Sequence, residues 1–195
     1  MEIIMSLRSR ILGKFYRDEK GIITIEAVII VPIIMFLLFA LVVYFDGFRQ
    51  KGVNLRAAYT VSDLLSRQYP TVDEDYVQGL KTIYDYLVDS PDDSSFRISM
   101  VQFDSEDLDN DDDGFAFLKW SHGIGEYDDL TDSTLDDIRD RIPLMAHGDS
   151  LLILETKMTY TPNFSSGIVP FDIEYLIATR PRFIPPCWED CTSGG

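Results

Sequence analysis

Cysteine and histidine are both scarce in this 195-residue chain: two of each, Cys187 and Cys191, His122 and His147. Two cysteines are too few for a disulfide-built scaffold. They stand four positions apart, so the redox spacing C-x-x-C is absent. The sequence also lacks G-x-S-x-G, H-E-x-x-H and the glycine loop that cradles phosphates. Acids are so abundant that a pair of carboxylates carries no information. No constellation in the sequence marks an enzyme. Basic residues are the other shortage. Seventeen Lys and Arg face 33 Asp and Glu, for a formal charge of −16 and a pI near 4.3. A surface of that sign repels phosphate backbones, which argues against nucleic acid as a partner.

What is present is unevenly placed. Arg8, Arg10, Lys14, Arg17 and Lys20 precede an apolar run from Ile22 to Phe45, whose polar side chains are Thr24, Glu26 and Tyr44. A span needs roughly 20 apolar residues to cross about 30 Å of hydrocarbon. A soluble helix would show a polar face at 3.6 spacing, and none exists from Ala27 to Val43. The run is longer than the apolar part of a secretory signal, and "YFDGFRQK" follows it where a small-residue cleavage site would stand. The basic flank sets the N-terminus in the cytoplasm. The acidic remainder then lies beyond the inner membrane, in a bacterial periplasm. The chain divides accordingly into a basic leader (1–21), a transmembrane helix (22–45) and an acidic domain (46–195).

Glu26 sits one turn inside the run. An ionised side chain in a span costs at least ~2.5–3.5 kcal/mol and points to function. Three readings of it stay open: reaching to the interface, protonation, or pairing with a cation. Pro32 removes one helical hydrogen bond, to the carbonyl of Val28. In a membrane, neighbouring helices or local adjustment make that tolerable.

The stretch "YRDEKGIITIEAVIIVP" resembles the N-terminal motif of the TadE/TadG-like proteins of tight-adherence (Flp) pilus systems. More broadly it resembles the class III signal of type IV pilins and pseudopilins. Arg17, Asp18, Glu19, Gly21, Glu26 and Pro32 fall in line, while Ala27 stands where an aromatic often follows the glutamate. The segments "IPLMAHGDSLLILETKMTYTPNF" and "TRPRFIPP" are also similar to TadE-like periplasmic domains. The resemblance implies cutting by a prepilin peptidase between Gly21 and Ile22. The new α-amine on Ile22 would then meet a carboxylate at position 26, on its own helix or a packed neighbour. The implied partners are inner-membrane lipid, other pilins and pseudopilins, the peptidase and the Tad secretion platform.

The acidic domain reads as α+β. "DGFRQKGVNLRAAYTVSDLLSRQ" continues the helix, with Phe48, Leu55, Ala58, Tyr59, Val61 and Leu65 near i, i+3, i+4 intervals, until Tyr69-Pro70 stops it. A second helix follows in 71–91, capped by Thr71 and striped by Val77, Leu80, Ile83, Tyr84 and Leu87. Strands are expected over 95–103, 114–121, 150–162 and 171–181, with a short helix over 133–143. That order suggests an antiparallel sheet packed on the long helix, as in pilin-like folds.

Two further features bear on chemistry. "DLDNDDDGF" places Asp109, Asp111, Asp113 and Gly114 like the first half of a calcium loop. Position twelve of that count is Trp120 and not a chelating Glu, and the flanks read as strands. Weak calcium binding and a merely solvated hairpin loop both remain open. Cys187 and Cys191 suit a small disulfide loop in an oxidising compartment, since zinc would need further ligands nearby. The functional expectation is a non-enzymatic minor pseudopilin. The alternative is an uncleaved, signal-anchored periplasmic enzyme or calcium- or ligand-binding protein.

Overall fold

A computed structural model describes residues 20–89, 94–104, 115–162 and 169–189. The chain forms two compact units, Met1–Asp46 with Pro162–Ile168, and Gly47–Thr161 with Val169–Gly195.

The first unit is dominated by the start of helix α1, which spans Lys20–Ser66 without a break at Pro32. From Ile25 to Phe45 nearly every large apolar side chain is exposed, for example Ile29 and Phe36 at 59% each. Exposed apolar surface of this kind marks contact with a membrane or with another protein. The helix is long and apolar enough to cross a membrane, which is compatible with a single-pass or signal anchor.

In the second unit α1 changes character. Ala57, Ala58, Val61 and Leu65 are buried, while Arg49, Lys51 and Arg56 stay exposed. Phe48 and Tyr59, expected on the buried stripe, are instead 56% and 58% exposed. At 100° per residue they lie on the far side from Val61 and Leu65. A short strand β1 (Thr71–Val72) follows, then helix α2 (Glu74–Val88). Thr71 does not cap α2, because its backbone is already committed to β1. Asp73 does so, accepting the Tyr76 N–H at 2.8 Å. Val77, Leu80, Tyr84 and Val88 are buried, but Ile83 and Leu87 face outward.

The main sheet has strands β2 (Ser94–Asp104), β3 (Phe115–Ile124), β4 (Ser150–Tyr160) and β5 (Phe171–Thr179) in the order β3-β2-β4-β5. All its pairs are antiparallel, as expected. Alternation along the strands serves two cores. Phe96, Ile98, Met100, Leu152, Leu154, Met158 and Ile177 pack with α1 and α2. Val101, Leu151 and Ile153 face the opposite layer, built from Leu130, Leu135, Ile138 and Met145. Sheet burial on both faces explains why "SLLILE" reads as a continuous apolar run.

That opposite layer contains one α-turn, α3 (Asp132–Leu135), followed by a 3-10 stretch, Asp136–Arg141. A final strand, β6 (Cys187–Trp188), pairs in parallel with β1. This two-stranded piece departs from the all-antiparallel expectation.

Candidate functional site

The N-terminal residues fall on one helix. Gly21, Ile22, Glu26 and Pro32 all belong to α1. Ile22 and Glu26 are four residues apart, one turn and about 6 Å along the axis, and so share a face. Glu26 is exposed among Ile25, Val28 and Ile29. Pro32, six positions further, lies roughly 120° around the axis from Glu26, so the two do not form one site.

The acidic motif Asp109, Asp111 and Asp113 lies outside the described residues. Among the described residues, no group of three or more His, Cys, Asp or Glu is placed to hold a metal ion. Cys187 is disulfide-bonded. Cys191, the other cysteine of the chain, lies outside the described residues.

The fold assembles a cluster around the tail that no local motif announces. The His122 ring on β3 stacks on Trp188 of β6, with centroids 4.6 Å apart and planes 23° apart. Trp120 lies against the same indole at 5.6 Å, and its Nε1–H donates to the Pro186 carbonyl at 3.0 Å. His122 Nε2 is 2.7 Å from Glu74 Oε2 at the start of α2, but out of line for a hydrogen bond. Asp129 approaches Nδ1 at 3.9 Å. These residues hold the tail across α2 and β3. Arg182 continues the clasp: its N–H donates to Ser66 O and its guanidinium to Asp63. An apolar groove of about 570 Å³ opens beside Tyr69, Phe183 and Ile184.

A second polar group lies on the other sheet face. Arg97 Nε donates to Glu155 Oε2 at 2.7 Å, with both side chains largely buried. The guanidinium also covers the Tyr127 ring at 4.8 Å and donates to Asp128 O. Burial pushes the Tyr127 phenol up to about 12, helped by the carboxylates of Glu174 and Glu155. Beside this group Lys157 meets Glu126 at 2.9 Å and Asp172 at 3.1 Å. Those carboxylates hold the ammonium charged well above the usual lysine range. Pairs so closed pin strands and a loop.

The segment after β3 folds back along that strand's outer edge. Asp129 and Asp132 accept the N–H groups of Gly123 and Leu118. Gly123 permits this approach, since a Cβ there would sit 2.2 Å from Tyr127 O. Lys119 is the extra residue of a bulge, opposite the step from Met100 to Val101. The edge is thereby protected against stray pairing.

No family model, no curated protein and no solved structure matches the chain.

Proposed function

We propose that this chain is a minor pseudopilin or assembly component of a Tad (Flp) type IV pilus. It crosses a bacterial inner membrane once, with its N-terminus cytoplasmic and its acidic α+β domain periplasmic. A prepilin peptidase cuts after Gly21. The freed helix then packs with the helices of other pilins, at the fibre or at the secretion platform. Its role is structural.

The observation that carries this reading is the placement of Glu26 on the face of Ile22, one turn away, in the apolar stretch of α1 that follows Arg17, Asp18, Glu19 and Gly21 in sequence. A lone anchor gains nothing from that carboxylate. An assembling bundle gains a partner for an incoming amine, and with it a fixed register. A water-facing α+β domain after the helix agrees with the same reading.

N-terminal sequencing of the protein from cells that contain the peptidase tests it. A chain beginning at Ile22 is expected. A chain that keeps residues 1–21 in such cells overturns it.

A further inference from the structure

We infer that the start of the second unit binds the headgroups of anionic phospholipids through Arg49 and Lys51, with Arg56 adding longer-ranged attraction. The inference rests on the membrane-span reading of the preceding helix.

The charge pattern is the first ground. Downstream of Phe45 the chain is strongly acidic, yet between Asp46 and Arg56 it holds three cations and a single acid, Asp46. The next acid is Asp63. All three cations are exposed.

The second ground is what these cations do not do. Arg67, Arg97, Arg139, Arg180 and Arg182 each engage a carboxylate. Among the described residues, no ion pair involves Arg49, Lys51 or Arg56. The Lys51 ammonium instead rests over the Phe171 ring at 5.1 Å. Lys119 and Arg141 are likewise without an ion pair among the described residues, but only Arg49, Lys51 and Arg56 follow the span directly along the chain, where an anionic surface can meet them.

Position selects the anion. Arg49 stands four residues past Phe45 and Lys51 six, about 6 and 9 Å of helix. The polar layer of a bilayer extends roughly 5–7 Å beyond the hydrocarbon on each side. Helical side chains tilt toward the N-terminus, so these cations lean back toward the span. Arg56, about 16 Å on, stands beyond that layer and adds only the screened, longer-ranged attraction of a cation near the surface. Exposed Phe48 adds an aromatic at the interface. Each cation near an anionic surface contributes attraction that salt removes. The acidic domain itself would be repelled by such a surface, and the three cations offset that at the point of entry.

The full chain, reconstituted in phosphatidylcholine vesicles, tests this with spin-labelled phosphatidylglycerol and spin-labelled phosphatidylcholine as probes. The immobilised fraction of each label reports lipid held at the protein. Phosphatidylglycerol should be preferred at least about threefold. The preference should vanish in R49Q/K51Q/R56Q and in about 1 M salt. The charge-keeping variant R49K/R56K should retain it, which separates lost charge from lost structure. Equal selectivity in the wild type and the glutamine variant overturns the proposal while leaving the span intact. A chain that fails to enter phosphatidylcholine vesicles at all overturns the span reading and this proposal together.

Discussion

Tyr84 shows how one side chain ties three elements. Its hydroxyl donates to Asn54 Oδ1 at 2.7 Å, so α2 reaches α1 inside the core. Asn54 in turn donates to Gln50 O and to Met158 Sδ on β4. A buried polar atom left without such a partner costs about 1–3 kcal/mol. Burial lifts the Tyr84 phenol up to about 12, close to the value for Tyr127. An unfolded phenol titrates near 10. Between pH 10 and 12 the unfolded chain therefore releases protons that the folded chain keeps. Stability from these groups is fully present below about pH 10 and falls as pH rises toward 12. Urea unfolding across that range should show the loss. Tyr127→Phe should make the fall shallower while Tyr84 keeps its share, and a fall just as steep in that variant would mean that Tyr127 is not one of its sources.

At the scale of elements, periodicity made the long members and the short helical stretch after β3 legible and the two-residue strands invisible. The 150–160 stretch alternates and runs apolar because both sheet faces are buried, and it forms β4. The pairing of β2 with β3 across the acidic stretch was equally readable. Strands β1 and β6 are two residues each and meet across a separation of more than 100 residues, so no window of sequence contains their signal. A separation of 66 residues likewise hid the stacking of His122 on Trp188, and the β1–β6 pairing displaced the expected cap from Thr71 to Asp73. Glu26 and Pro32 stand out in the sequence because a polar residue or a proline inside an apolar run is a local anomaly.

The tail makes a prediction at this scale. A disulfide that closes so short a loop contributes about 2 kcal/mol by constraining the unfolded chain. Trp120 and Trp188 are the two tryptophans of the protein, and both lie where the tail is clasped. Reducing Cys187 should shift tryptophan emission to longer wavelength and lower the melting temperature. Unchanged emission on reduction would show that Trp188 stacking and the β1–β6 pairing hold the tail without the covalent link.

For the whole molecule, the consequence of the proposed cut is a change in the standing of one carboxylate. Residues 1–21 hold five of the 17 basic residues and three of the 33 acids, so their removal takes the formal side-chain charge from −16 to −18. The remaining chain is slightly more acidic in total, while the helix end acquires an α-amine at Ile22. Before the cut, Glu26 burdens the anchor by at least ~2.5 kcal/mol if ionised in lipid. After it, an amine one turn away or on a neighbouring helix offsets that burden, and the pair fixes how helices align. Glu26→Gln should therefore act in opposite directions at the two stages. The leader-bearing variant should resist alkaline extraction from membranes at least as well as the wild type. The processed variant should be recovered several-fold less in sheared pili or in complexes with pilins. Both amounts are read by immunoblot from the same cells, with N-terminal sequencing to show that cutting still occurs. Wild-type recovery of a correctly cut Glu26→Gln chain in the assembled fraction would remove the amine–carboxylate pairing from the account. It would leave Glu26 as a residue whose cost in the span has no counterpart in assembly.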